Sequence, residues 1–401
     1  MRGVTSMRRW FKAVEVLGRR FLFWLCGLLF GVPPRPLGPI FDDRQQPLRI
    51  LVVRLDERLG NVILLTPVLA TLQDMYPKAT IDVVVAQRAL PILRGHSAIH
   101  HIFAFSKRAL LRGHGIIGTC LKLRRQRYDL AIDGANPTSP SFTHALMVRF
   151  CGAAHTLGYG TGSMGKLYSQ LVAPPPDDGT QHEIDLRLRL LAPLPPQARC
   201  RAMQVPGHLA LPEGSVAPAF VRSLDGALFV LINVGARLTS KQLRAADYAV
   251  VANAVTVAGM VPVLSFGPQE AQLAQEVANF SASSILAPPT GVDELAYLMQ
   301  RALCVISCDT GPMHLAVALG RPTCGLFVST DPNRYGHRGG PHAVIDARGR
   351  EHGEWLGELR AFINRQRLCV VNQKRLPQLL PEEMTPLLVE GNLDRPASAG
   401  F

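Results

Sequence analysis

The chain has 401 residues, 47% of them apolar and 18% charged, and its 43 Lys and Arg against 30 Asp and Glu give a formal charge of +13. That apolar content is enough to fill cores, which excludes a disordered chain, and no long apolar run beyond the first 35 residues remains to build a polytopic membrane protein. At roughly 150 residues per domain the length suggests two or three domains, and the excess of positive charge points to an anionic partner: nucleic acid, an anionic membrane surface or phosphorylated substrates.

Residues 1–47 read as a separate arm. Arg2, Arg8, Arg9, Lys12, Arg19 and Arg20 face a single acid, Glu15, and precede the twelve-residue apolar run FLFWLCGLLFGV and a Pro-rich break. As a helix that run is about 18 Å long, against about 30 Å of bilayer hydrocarbon. It is too short to span. The break also carries no small-x-small cleavage site, so an interfacial anchor is favoured over a signal peptide, with basic residues at anionic headgroups and Phe, Trp and Leu below them.

From residue 48 the pattern is α/β. LRILVVRL (48–55) is a short, buried-type strand. NVILLTPVLATLQDMYP (61–77) has apolar residues at helical spacing, and ATIDVVVA (79–86) is a second strand, which together make a βαβ unit. HHIFAF (100–105) and YDLAID (128–133) are further strands, CGAAHTLGY (151–159) does not read as one, and 182–194 is helical. Strands restart at 227–235, 261–267, 304–309 and 322–328, with helices at 247–260, 270–280, 293–303 and 311–320. Two Rossmann-like domains facing across a cleft are expected: 48–205 first, 206–375 second, and a Pro-rich tail over 376–401. Ligands then sit at the carboxyl ends of the strands.

Three strand-to-helix turns carry candidate chemistry. In CDTGPMHLAVALG, a strand ends at Asp309-Thr310-Gly311 and Pro312 falls at a first helical position, where its missing N–H costs nothing. Gly311 admits a ligand to the backbone, and the helix start offers free N–H groups and a positive dipole end to a phosphate or diphosphate, with His314 in the first turn. Taken alone, the same residues also suit a plain N-cap and a surface histidine. In NVGARLTSKQL, Thr239, Ser240 and Lys241 can donate to a phosphate or sit in a solvated loop. In RLDERLGNVILLTP, Gly60 and Asn61 lie at a helix entry, while Asp56 and Glu57 are carboxylates at a strand end or simple helix-start charges.

Other signatures are weak or missing. The eight cysteines form no CxxC pair and read as free thiols of a reducing compartment. Gly160, Gly162 and Gly165 match GxGxxG but lack the strand before and the helix after that a dinucleotide fingerprint needs. There is no HExxH, GxSxG, DxD or Walker A motif and no nucleic-acid-binding module.

Taken together, these segments resemble glycosyltransferase family 9, the ADP-heptose:lipopolysaccharide heptosyltransferases, over about residues 49–345. RLDERLGNVILLTPVLATLQDMYPKATIDVVV is similar to the family's RxDxxGD–helix–TP–"YP-A-ID" pattern, NVGARLTSK to its N-x-G-A and Ser/Thr-Lys segment, Gly267-Pro268-Gln269-Glu270 to its Gly-Pro-x-Glu, and residues 309–316 to its D-[ST]-G-P-x-H-[LI]-A element. The resemblance implies a GT-B fold, acceptor domain first and nucleotide-sugar donor domain second. It implies inverting transfer of a heptose from ADP-heptose to the lipopolysaccharide inner core without metal or other cofactor, by a peripheral protein of the inner membrane's cytoplasmic face. It further implies that Lys241 and Thr239 contact the donor phosphates, Glu270 the nucleoside, Asp309 the sugar hydroxyls, and Thr310, Gly311 and His314 the diphosphate.

One departure matters. The family's general base is usually the Asp of the Gly-Asp pair, and here that pair is Gly60-Asn61. An amide orients a hydroxyl but takes no proton from it near neutral pH. Asp56 is the first alternative base and Glu57 the second. The competing reading is a catalytically silent relative that binds nucleotide sugar or glycolipid; a nicotinamide enzyme fits less well.

Overall fold

The computed structural model describes residue 18 and residues 24–379, apart from 107–114, 138–139, 161, 177–178, 180, 196–199, 201, 208–209 and 338. The basic cluster of the arm and the tail from residue 380 onward lie outside the described residues.

Apolar, β-branched runs become fully buried parallel strands because helices cover both faces of each sheet. The first sheet contains β1 (Arg49–Arg54), β2 (Thr80–Ala86), β3 (His101–Phe105), β4 (Leu130–Asp133), β5 (His155–Tyr159) and β6 (Gln170–Val172), in the order β3-β2-β1-β4-β5-β6. The second contains β7 (Phe229–Val234), β8 (Val261–Phe266), β9 (Ile285–Leu286), β10 (Cys304–Cys308), β11 (Thr323–Phe327) and β12 (Ala343–Asp346), in the order β12-β11-β10-β7-β8-β9. Every pair is parallel. Both sheets therefore repeat one doubly wound topology, and each reverses its winding between its first and fourth strands, where a crevice opens at the strand ends. In the first sheet Val53 of β1 pairs with Asp133 of β4, and in the second Asn233 of β7 pairs with Ser307 of β10.

The structure corrects two readings of the sequence. CGAAHTLGY does contain a strand: β5 is buried throughout, although its small and polar residues give it no apolar run. The glycines that follow it enter a 3-10 helix, Gly162–Leu167, and then β6, with no α-helix there to receive a dinucleotide. The helical stretch after β1 divides into Leu59–Ile63 and Thr66–Met75. Pro67 is the cause, since its ring clashes with the carbonyl of Ile63 and it has no N–H to donate. The chain breaks there, Pro67 takes up the first turn of the second helix, and the Thr66 hydroxyl donates to the freed Ile63 carbonyl at 2.7 Å. The last described helix spans His352–Leu379.

One apolar cluster joins the halves, from Ile50, Val52 and Val83 of the first sheet through Leu72 and Ile92 to Leu298, Leu315 and Phe229 of the second domain. A second cluster fills the far side of the second sheet, where Trp355, Leu359 and Phe362 of the last helix meet Tyr248 and Val251. All eight cysteines are free, and Cys26, Cys120, Cys151, Cys304, Cys308 and Cys324 are buried, as the reading of reduced thiols requires.

Trp355 is 1% exposed. Trp355→Ala should cost about 3–5 kcal/mol of stability, read as a lower urea midpoint. An unchanged midpoint would show that the last helix does not cover this sheet.

Candidate active site

β10 is buried along its whole length and delivers Asp309 and Thr310 to the crevice. Thr310 caps the helix Gly311–Ala318 in an extended conformation, but its hydroxyl bonds to the Ser307 hydroxyl at 3.0 Å and not to the helix. The first N–H groups of the helix are left without a side-chain cap, at the positive end of the dipole. Lys241 reaches in from the loop after β7, its Nζ 2.6 Å from Asp309 Oδ2 and 5.5 Å from the Tyr335 ring centroid. Thr330 donates to the same carboxylate oxygen at 2.8 Å.

The opposite wall comes from the first domain. The short helix Leu59–Ile63 meets Gly311–Ala318 end to end, and glycines permit the approach. A Cβ on Gly60 would lie 2.9 Å from His314 Cδ2 and 3.3 Å from Gly311 Cα, too close without displacement. Gly235 sits at φ +93°, and a Cβ there would come within 2.9 Å of Glu270 Cβ, so this glycine makes the space that Glu270 occupies.

These walls enclose a cavity of about 400 Å³, within the size range of small-molecule sites. Gly60, Asn61, Lys241, Glu270, Asp309, Thr310, Gly311 and His314, all singled out in the sequence, line it together. Thr239 and Ser240 are exposed on the loop that carries Lys241 and do not line it. Asp56 stands behind Asn61. The Asn61 amide donates to Asp56 Oδ2 at 2.5 Å, Arg54 lies 3.2 Å from the same oxygen, and the Arg58 N–H donates to Oδ1 at 2.9 Å. Burial pushes the Asp56 carboxyl up, but the Arg58 N–H, the Arg54 guanidinium and the Asn61 amide outweigh it and hold the group below its ordinary range.

His314, which the sequence offered as a diphosphate ligand or a surface histidine, is not on the surface. It is 4% exposed, and its Nδ1 is 2.7 Å from His337 Nε2. Burial first, then the nearby Arg187, His182 and Lys241, lowers its pKa to about 3, and burial with His314 and His182 lowers that of His337 to about 2. Both rings are neutral at physiological pH. One can then donate N–H to the other's lone pair, an arrangement that two imidazolium rings would forbid.

A buried charge cluster escaped the sequence reading. Glu183, 1% exposed, accepts from Arg187 Nη1 at 2.5 Å and from Arg334 Nε of the second domain at 2.9 Å. Burial works against its charge, but Arg187, Asn136 and Arg334 lower its pKa to about 2. Arg187 Nη2 in turn donates to Asn61 Oδ1 at 3.3 Å. A signal was present in HEIDLRLRLL: Arg187 falls three residues after Ile184 and four before Leu191, on the buried stripe of the helix, with Glu183 one turn behind. Arg58, Arg237 and Tyr335 also line the cavity, and nothing in the sequence marked them out. Among the described residues no group of three or more His, Cys, Asp or Glu is placed to hold a metal ion.

Comparison with known proteins places this architecture. The model of glycosyltransferase family 9 (heptosyltransferase) matches residues 120–351, more than half of the chain. Lipopolysaccharide heptosyltransferase 3 of Escherichia coli (strain K12) is 27% identical over 286 residues, covering 68% of this chain and 80% of that protein. Among solved structures, E. coli heptosyltransferase WaaC with ADP superposes with a TM-score of 0.63 at 21% identity, over 80% of this chain and 100% of that one. E. coli ADP-heptose lps heptosyltransferase II gives 0.63 at 20% identity, over 82% and 100%. The two facing sheets are thus the GT-B fold expected from the sequence.

His314, His337 and Glu183 contribute to the acid limb of stability. For each, the folded pKa lies below the unfolded one, so its contribution is complete above the unfolded value and is lost as pH falls. Loss should begin near pH 6.5 through His314 and His337 and continue below about 4.5 through Glu183. In pH-dependent urea melts, His337→Asn should shrink the upper part of this decline to the share of His314 and leave the lower part intact; an unaltered profile would contradict a neutral His337.

Proposed function

The chain belongs to glycosyltransferase family 9, the heptosyltransferase family, and on that premise we propose that it moves a heptose, or a similar sugar, from an ADP-heptose-type donor to the lipopolysaccharide inner core. It is a glycosyltransferase, and its relatives include the lipopolysaccharide heptosyltransferase named above. The observation that carries the donor assignment is the uncapped start of the helix Gly311–Ala318 opening on a cavity beside Lys241. A diphosphate leaving group gains most from such fixed N–H groups and an ammonium, because the charge they meet grows as the sugar departs.

The proposed reaction is an inverting displacement. An acceptor hydroxyl attacks the anomeric carbon from the first-domain side, the bond between that carbon and the diphosphate oxygen breaks, and the nucleoside diphosphate leaves with the electron pair. Thr310, Gly311 and Lys241 bind its phosphates. His314, being neutral, contributes a hydrogen bond and no charge. Glu270, in the space left by Gly235, takes the nucleoside, and Asp309 orients both Lys241 and the sugar hydroxyls. The hydroxyl's proton goes to Asp56. A carboxylate held below its usual pKa is a weak base, which suits transfer late in the reaction, when the hydroxyl has become acidic. Asn61 carries no base function and holds Asp56 in place.

The proposed setting is the cytoplasmic face of the inner membrane. No helix of the described residues is long and apolar enough to cross a membrane. Instead the helical turn at residues 24–30 presents Trp24, Leu28, Leu29 and Phe30 to solvent, pinned to the first domain by Arg149 Nε donating to the Phe30 carbonyl at 2.8 Å and by the Phe30–Phe150 contact at 5.1 Å. Exposed aromatic and leucine side chains beside a basic segment suit an interfacial anchor near a lipid-borne acceptor. Replacing Leu28 and Leu29 together by Glu should shift the protein from the membrane pellet to the supernatant of fractionated cells; unchanged pelleting would rule out this anchor.

Product formation from ADP-heptose and truncated lipopolysaccharide, with and without chelator, tests the reaction itself. Transfer should survive the chelator. Asp56→Asn should lower turnover by on the order of 100-fold, and wild-type turnover in that variant would remove Asp56 as the base. Donor binding without any transfer would favour the catalytically silent reading that Asn61 keeps open.

A further inference from the structure

Asn61 has an amide whose two ends face opposite kinds of partner. Arg187 can only donate and the ionised Asp56 can only accept, so Asn61 Oδ1 must face Arg187 and Nδ2 must face Asp56, at 3.3 Å and 2.5 Å. The amide is therefore oriented by its neighbours and not by its own helix. Arg187 has no freedom either. Its guanidinium is 1% exposed and is held by Glu183 through the side chain at 2.5 Å and the backbone carbonyl at 2.8 Å.

Glu183 is the junction. Asn136 donates to both of its oxygens, at 2.8 and 3.0 Å, and these contacts lie within the first domain. The Arg334 contact at 2.9 Å comes from the short helix Pro332–Tyr335 of the second domain, which also supplies Tyr335 beside Lys241. Two guanidinium groups thus share one buried carboxylate from opposite sides of the cleft. Removing one leaves the carboxylate undercompensated and free to re-pair with the other.

We propose that Arg187 is a positioning residue for the Asp56–Asn61 pair and that Arg334, by completing the Glu183 anchor from the other domain, makes the pair's arrangement depend on the two domains being engaged. The consequence is a reaction site assembled on the acceptor side only when the donor side is in place, which would protect an activated sugar from reacting with the cleft open. This inference rests on the sugar-transfer reading for its chemistry, but its structural part does not.

Two measurements separate these layers. Hydrogen exchange of the full-length, ligand-free protein reads the coupling directly. Arg334→Ala should speed exchange of peptides covering residues 56–63 by about threefold or more, although the substituted side chain lies in the other domain; unchanged exchange there overturns the proposal. Steady-state transfer from ADP-heptose reads the positioning. Arg187→Lys keeps a charge for Glu183 but cannot serve Asn61 at the same time, so kcat should fall about tenfold with donor KM within about twofold. In an Asn61→Ala background the same substitution should cost almost nothing further, since its target is gone. An unchanged kcat, or losses that simply multiply, overturns the positioning role. If Arg187→Lys does not fold, Arg334→Ala, whose side chain is 18% exposed, carries both measurements. If wild-type protein transfers nothing, the sugar-transfer reading fails and the exchange result alone decides the coupling.

Discussion

Two helix starts from different domains touch backbone to backbone, and the site is organised around that contact. Gly60 at the entry of one helix lies against Gly311 and His314 of the other, with no room for a side chain between them. A helix start is a cluster of unpaired N–H groups, and placing two together would be unfavourable without something anionic nearby. Asp309 and Asp56 supply fixed negative charge at the two sides. The remaining donors, with Lys241, face the cavity, where an incoming anion can use them.

The contact also explains why the surrounding polar groups are buried and uncharged or tightly paired. His314 is buried beside the meeting point and the half-buried His337 packs against it, and both stay neutral because a charge there would be poorly solvated. Glu183 keeps its charge in the same interior only because two guanidinium groups and an amide surround it. Neutral histidines and a compensated carboxylate leave Lys241, the cavity-lining Arg58 and Arg237 and the helix start as the site's attraction for phosphate.

Asn61 stands between two groups of opposite charge, its amide N–H donating to Asp56 and its carbonyl accepting from Arg187. With an amide there, Asp56 stays ionised and Asn61 bridges it to Arg187.

Eight of the twelve parallel strands and their order along the chain were legible in the sequence, because buried β-branched runs such as RILVVR and FVLINV have no other stable use, and so were the two strand-to-helix turns whose Gly-Pro and Gly-Asn pairs mark ligand-facing entries; the edge strands β6, β9 and β12, two to four residues long, were not. Local periodicity failed at β5, whose HTLGY is buried by its neighbours and not by its own hydrophobicity, and at Pro67, where one apparent helix becomes two. Only the tertiary structure decided which residues share the cavity, that Asp56 stands behind Asn61, and that Glu183 and Arg334, 151 positions apart, are one ion pair. A sequence records each residue's chemistry and its neighbours along the chain; whether a charge is solvated, paired or buried depends on atoms the fold brings from the other domain.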